Sequence, residues 1–327
     1  MREAIVNPDT TPGPGDILIK VAIAGTNPKD WKDPTWSGKA SNSGDDAAGI
    51  IARLGAGVFG FFVGQRVVAM HAMWTPGATF AEYALAPQHL TFPIPDTVSF
   101  AEAVYTSAVA LFHSLELPAT WDHAGHRATE DRKQKHPLII YGVSSALGAF
   151  GIKLAKAASI HPVIAPDLGD QFVDYTAYPS ETDLVGALKD AIRKSSAEGL
   201  ICHAYDCIWE PRTAAVLSKA IARDPDVSGR QPRVTIGFED LDATEVDKRV
   251  QLVLADVSLV QEKNRGGKLF DLVWGQAFTC GLADGWLTAH PYEIDQEGFE
   301  GLSSALNGLK DGTIRGRKTL IRVDRSL

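Results

Sequence analysis

The chain has 327 residues, 45% of them hydrophobic and 22% charged, with 32 basic against 40 acidic side chains and a net charge of −8. That length corresponds to about two domains at roughly 150 residues each, and the acidic balance argues against nucleic acid or an anionic membrane as partner, since both select a basic face. Three cysteines (Cys202, Cys207 and Cys280) exclude a disulfide-stapled secreted scaffold; no apolar run reaches the roughly 18 residues of a membrane span; and Met1–Val6 lacks a signal-peptide apolar region, so a cytoplasmic location is expected.

The first hundred residues read as β-rich. Thr11-Pro12-Gly13-Pro14-Gly15 is a turn-rich entry to a strand at Ile17–Ile23. Further strands are expected at Ala47–Ile51, after the Val63-Gly64-Gln65 turn at Arg66–Ala69, and at Thr79–Leu85. Short strands broken by glycine and proline predict a small, irregular barrel. Residues 122–136 (DHAGHRATEDRKQKH) are charged and apolar-poor, and read as a surface loop.

From residue 138 the pattern changes to alternating strand and helix. Leu138–Tyr141 is a short apolar strand. It runs into Gly142-Val143-Ser144-Ser145-Ala146-Leu147-Gly148 and then a helix. Leu147, Phe150, Gly151, Leu154, Ala155 and Ala158 line one face of that helix. Strands at Pro162–Ala165, Leu200–Ile208 and Arg233–Gly237 alternate with a helix through Leu184, Val185, Leu188, Ala191 and Ile192. This alternation predicts right-handed βαβ units and a parallel sheet. Cys202 and Cys207 fall on one of these strands and read as core residues.

The strand, glycine/serine turn and helix at 138–158 carry the strongest local signal. Small residues there let backbone N–H groups and a helix N-terminus approach a pyrophosphate. Gly142 and Gly148 stand, but Ser144 takes the middle position of the G-x-G-x-x-G pattern. Alone, the turn is either a dinucleotide cradle or a tight connection without a ligand.

The order of segments adds a resemblance to this local reading. PGPGDILIKV, NPKDWK, GDDAAGIIARLGAGV, VGQRV, TFAEYALAP, LIIYGVSSALGAFGIKLAK and GLKDGTIRGRKTLIRV follow one another from Pro12 to about Val323. In that order they resemble the medium-chain dehydrogenase/reductase superfamily, most closely its zinc-free quinone-reductase-like and enoyl-reductase-like branch. The resemblance implies an α/β fold: a GroES-like β-rich catalytic domain plus a doubly wound parallel-sheet Rossmann domain. The catalytic domain is expected over residues 1–110 and 288–327, and the NADPH-binding Rossmann domain over 111–287.

Zinc enzymes of the superfamily place a cysteine ligand where this chain has Asn27 and a histidine where it has Asp45, with Asp46 at their glutamate. A catalytic zinc needs three protein ligands and one open position, so no metal is expected. His123 and His126 lack a partner at metal-ligand spacing. By the same resemblance, Ser144, Ser145, Ala146, Leu147 and Gly148 form the pyrophosphate turn, and Tyr175 lies near the adenosine end. Lys32 and Thr106 match the residues that line the hydride-transfer cleft. Asp30 and Asp46 read as braces of the NPKDWK turn. After Ala165 the chain is shorter than the family pattern, by about the length of a helix, where the cofactor's 2′-phosphate ligands usually stand.

The implied activity is zinc-independent, NADPH-dependent transfer of hydride to a quinone or an activated C=C bond of a small-molecule substrate. An alternative is a trans-acting enoyl reductase serving a polyketide on an acyl-carrier domain. Another is a degenerate, non-catalytic cofactor-binding or sensor protein, motivated by the shortened segment. A homodimer is expected, with Val250–Leu254 and Val257–Val260 as pairing edges. The stretch Leu269–Leu287 is expected to pack near the cleft.

Overall fold

The computed structural model describes residues 9–37, 43–96, 105–119, 121, 136–165, 170–171, 173–195, 200–226, 229–237, 242–255, 265–324 and 326. His123, His126 and Val257–Val260 lie outside them. The chain forms two compact units, residues 1–105 with 258–327, and residues 106–257.

The first unit is built on one seven-stranded sheet. Its strands are β1 (Asp16–Gly25), β2 (Asp46–Leu54), β3 (Arg66–Met70), β4 (Tyr83–Pro87), β5 (Thr91–Pro93), β11 (Tyr292–Asp295) and β12 (Lys318–Arg322). They run in the order β11-β12-β1-β2-β3-β5, with β4 also paired to β1. β1 therefore has three partners, and nearly every one of its residues is buried. This explains its continuous apolar run, which lacks the in-out alternation of a one-sided strand. Ile17 and Ile19 pack with Ile51, Val67, Ala69 and Ala86 to fill the space inside the curved sheet. The strand expected from Thr79 begins only at Tyr83. Thr79 and Phe80 instead donate their backbone N–H groups to Gly44 and Ser43.

Helix α1 (Pro28–Ser37) follows β1. Helices α6 (Arg265–Asp284) and α7 (Leu302–Lys310) also belong to this unit. The domain boundary expected at 288 would have assigned α6 to the nucleotide-binding domain. In the structure α6 buries Trp274 and Phe278 completely. Phe278 meets Phe92 of β5 edge-on at 5.5 Å, and the Thr279 hydroxyl donates to Pro93 O at 2.7 Å. Those contacts tie the helix to the β-rich unit.

The second unit contains the parallel sheet. Its strands are β6 (Leu138–Tyr141), β7 (Val163–Ile164), β8 (His203–Asp206), β9 (Arg233–Ile236) and β10 (Gln251–Leu254), in the order β10-β9-β8-β6-β7. All four pairings are parallel. A single parallel bridge joins Ile164 to Gln171 at the outer edge of β7. With that bridge as a residual strand, the order matches the 3-2-1-4-5-6 arrangement of doubly wound dinucleotide folds. Among the described residues that outer strand is one residue pair, next to the segment where the chain is shorter than the family pattern.

Helices α3 (Ala146–Ala157), α4 (Glu181–Lys194) and α5 (Pro211–Ile221) cover the sheet. α4 and α5 bury Leu184, Leu188, Val216, Leu217 and Ala220 against Ile139, Ala204 and Val234. Each fully buried aliphatic chain of this kind contributes about 1.5–3 kcal/mol. Cys202 and Cys207 flank β8 and are buried. Burial pushes the Cys202 thiol up to about 12, so it acts as a small apolar group. Near the first crossing between units, α2 (Tyr105–Ala108) runs into a π-helical turn over Val109–Ser114.

Candidate active site

In the second unit the turn after β6 has the shape that a phosphate needs. Gly142 has φ +80°, and a side chain there would strike Ile208. Ser145 caps α3: its hydroxyl accepts from Gly148 N at 3.1 Å and donates to Gly142 O at 2.7 Å. That leaves the N–H groups of Ala146 and Leu147 at the helix N-terminus without intrahelical partners, aimed at a ligand or solvent. Gly148 is pressed against the turn. A Cβ on it would sit 2.4 Å from Val143 Cα and 2.6 Å from Gly142 O. The residues present therefore fit a dinucleotide pyrophosphate.

Two further predicted residues belong to the same unit. Tyr175, half exposed, has its ring 5.6 Å from that of Tyr141 at the carboxyl end of β6. That end of the sheet is where doubly wound folds bind ligands. Thr106 is the second residue of α2. Its neighbour Ser107 is buried, donates to Leu147 O at 2.9 Å and accepts from the Tyr205 hydroxyl at 3.3 Å. Thr106 is thus one residue from a side chain anchored on the phosphate turn. Asp206 closes β8, buried, accepting from Ile208 N, Trp209 N and the Thr213 hydroxyl. Burial pushes its carboxyl up to about 6, opposed by those donors.

The first unit carries the other predicted group, around α1. Lys32 is half-buried on the helix, its ammonium 5.5 Å from the Trp31 ring centre. Asp30 braces the turn by accepting from Asn27 N at 2.7 Å and the Ser43 hydroxyl at 3.1 Å. Burial, and then the Asp45 charge, push its carboxyl up to about 7. Asp46 accepts from Asn27 Nδ2 at 2.9 Å and from Lys318 Nζ at 2.5 Å. The expected bracing roles of Asp30 and Asp46 are both realised in these bonds.

Sequence reasoning missed two cations. Lys29 pairs with Asp45, and Lys318 pairs with Asp46 and also reaches Asn27 Oδ1 at 3.2 Å. Burial alone would raise the Asp45 carboxyl, but nearby His71 and the Lys29 ammonium outweigh it and hold it below its ordinary value. Two ammonium groups are therefore clamped onto the two adjacent acids Asp45 and Asp46. Among the described residues, no group of three His, Cys, Asp or Glu side chains is placed to hold a metal ion. Lys29 was legible in NPKDWK, but its partner lies 16 residues on and Lys318 pairs across 272 residues.

Residues 13–96 match the alcohol dehydrogenase GroES-like domain family. The chain is 32% identical over 320 residues to the trans-enoyl reductase fsr4 of Gibberella fujikuroi, covering 90% of each chain. It is 25% identical over 358 residues to the enoyl reductase cheB of Chaetomium globosum, covering 97% of this chain and 89% of that one. Among solved structures, it superimposes on a mycobacterial quinone oxidoreductase with TM-score 0.66 at 16% identity, covering 97% of this chain and 94% of that one. The CurK enoyl reductase gives TM-score 0.67 at 14% identity, covering 96% and 93%. The chain belongs to the medium-chain dehydrogenase/reductase superfamily, in its quinone-reductase-like and enoyl-reductase-like branch, and is an oxidoreductase of that kind. Among the described residues, no helix is long and apolar enough to cross a membrane.

Proposed function

We propose that the protein is an NADPH-dependent, zinc-independent reductase of an activated C=C bond, with an enoyl thioester as its acceptor. The likeness to the trans-enoyl reductase fsr4 over 90% of both chains carries this reading. The capped glycine/serine turn supports a dinucleotide cofactor. The choice of NADPH is supported by a crotonyl-CoA carboxylase/reductase structure in complex with NADP, which superimposes with TM-score 0.62.

Ser144, Ser145, Ala146, Leu147 and Gly148 would hold the pyrophosphate and Tyr175 the adenosine end. When bound, the reduced nicotinamide supplies a hydride for the β-carbon, and solvent supplies the proton for the α-carbon. Charge that develops on the carbonyl oxygen needs hydrogen-bond donors in the absence of a Lewis acid. Lys32 and the Thr106 hydroxyl fill that role. The acceptor reaches the protein free or on an acyl-carrier domain, and the functional unit is a homodimer paired through the β10 edge.

The test is NADPH oxidation with 2,4-hexadienoyl N-acetylcysteamine thioester and with 1,4-naphthoquinone. Turnover of the thioester is expected, and dialysis against EDTA should leave the rate unchanged. Lys32→Ala and Thr106→Ala should each lower kcat about 100-fold, the usual effect of deleting one oxyanion donor, without shifting Tm. Turnover of the quinone alone would favour a quinone reductase. NADPH binding with no turnover of either acceptor would favour a sensor.

A further inference from the structure

Between β2 and β3 the chain carries no charge from Leu54 to Gln65 (LGAGVFGFFVGQ), and an arginine stands at each end of that run, Arg53 and Arg66. The apolar residues of the run divide into two sets. Leu54, Val58 and Phe61 pack against the cluster of Ile17, Ile19, Ile51 and Val67 inside the curved sheet. Phe59, Phe62 and Val63 remain 65%, 63% and 60% exposed. Single exposed apolar residues are ordinary, but three within five positions of one turn mark an interaction site.

The turn presents these side chains on a fixed frame. Gly60 and Gly64 take φ +78° and +89°, with open space where a side chain would stand, and the chain reverses at both. Phe59 N donates to Gln88 Oε1 and Phe62 N to Gln65 Oε1, each at 3.2 Å. Gln88 Nε2 donates to Gly57 O at 3.3 Å, Gln65 N to Phe62 O at 3.2 Å and Gly64 N to Ile51 O at 2.8 Å. The backbone N–H groups of both exposed phenylalanines are therefore satisfied within the protein. Taking them out of water leaves no orphaned donor, which is the condition for entering an apolar medium.

The size and charge of the tip select its partner. The three side chains expose roughly 350 Å², under half of the about 800 Å² that each side of a stable protein interface contributes. A bilayer sets no such minimum, because each ring that enters it gains independently. The base of the tip is neutral in pairs: Arg53 Nη2 lies 3.3 Å from Asp9 Oδ1, and Arg66 Nη1 lies 3.9 Å from Asp96 Oδ1. Paired opposite charges complement the phosphate and choline of a zwitterionic headgroup, whereas the net charge of −8 opposes an anionic surface. We propose that the Phe59–Val63 tip is a shallow anchor for a phosphatidylcholine bilayer surface. This stands independently of the reductase reading.

The experiment floats the full chain with extruded phosphatidylcholine vesicles on a density gradient. The wild type should float, and should still float in about 1 M NaCl, because salt screens charges and not apolar insertion. Phe59→Ser combined with Phe62→Ser should lower the partition coefficient at least about 100-fold without shifting Tm. Phe62→Leu, which keeps an apolar side chain, should stay within about fivefold. Phe59→Trp adds a readout of depth: dibrominated phosphatidylcholine should quench the emission of that variant more than that of the wild type. No flotation of the wild type, equal flotation of the double variant, or no added quenching in Phe59→Trp overturns the anchor. So does binding confined to vesicles that contain phosphatidylserine and lost at high salt. Self-association without vesicle binding, measured by sedimentation velocity and abolished in the double variant, also overturns it and assigns the tip to a second copy of the chain.

Discussion

Gly148→Val should raise the Kd for NADPH by at least about 100-fold while the protein remains folded. The added side chain cannot be accommodated by a rotamer change, because the atoms it meets, Val143 Cα and Gly142 O, are backbone. The turn must open by an ångström-scale movement, which withdraws the Ala146 and Leu147 N–H groups from the pyrophosphate position. Losing two hydrogen bonds to a charged group at about 1.5–3 kcal/mol each accounts for that factor or more. Overpacking should lower stability by about 1–3 kcal/mol. Ser145→Ala is the graded comparison. It removes the cap but keeps the backbone path, and should cost about 1 kcal/mol of stability with a smaller loss of affinity. Fluorescence titration with NADPH and urea denaturation read both effects. Unchanged cofactor binding in Gly148→Val would falsify the placement of the pyrophosphate on this turn.

The second large effect is on stability. Asp271 on α6 is completely buried, and neither carboxylate oxygen has a hydrogen-bond partner. Burial pushes its carboxyl from 3.8 up to about 8. The native state therefore keeps a proton that the unfolded chain releases, so stability falls as pH rises between about 4 and about 8 and levels off above. Asp271→Leu removes the titration and adds apolar burial. The variant should be more stable than the wild type at pH 8 by about 3 kcal/mol, with the difference shrinking toward pH 5 because the cost of keeping the native carboxyl protonated falls as pH approaches the unfolded pKa. Urea midpoints at pH 5, 6.5 and 8 check this. A pH-independent difference would mean that the acid is ionised and partnered in solution.

Much of this molecule was legible before its structure. The strand at Leu138–Tyr141, the helix after it and the tight glycine/serine turn between them are local patterns, set by apolar spacing and small residues within about twenty positions. They occur where expected. The partners of charged groups were not legible in the same way. Nothing in NPKDWK says that Lys29 turns to Asp45 while Lys32 lies near Trp31, because that choice depends on the path of β2 and the loop after β3. The packing partner of α6 was not legible for a related reason. Its apolar face predicts burial but not against which sheet, and Phe92, the residue that decides it, lies almost two hundred positions earlier.

The closure of β1 by β12 has a consequence for how the protein is made. Ile23 pairs with Arg322 and Gly25 with Leu320, so an apolar central strand waits for a partner encoded almost three hundred residues downstream. At ribosomal rates of about 5–20 residues per second, that wait lasts roughly 15–60 s. The parallel-sheet unit is contiguous and can fold during this interval. The β-rich unit must meanwhile keep an unpaired edge from meeting other nascent chains. Synthesis of this enzyme is thus ordered from the inside out: the parallel-sheet unit can be finished first, and the β-rich unit is closed only when β12 emerges.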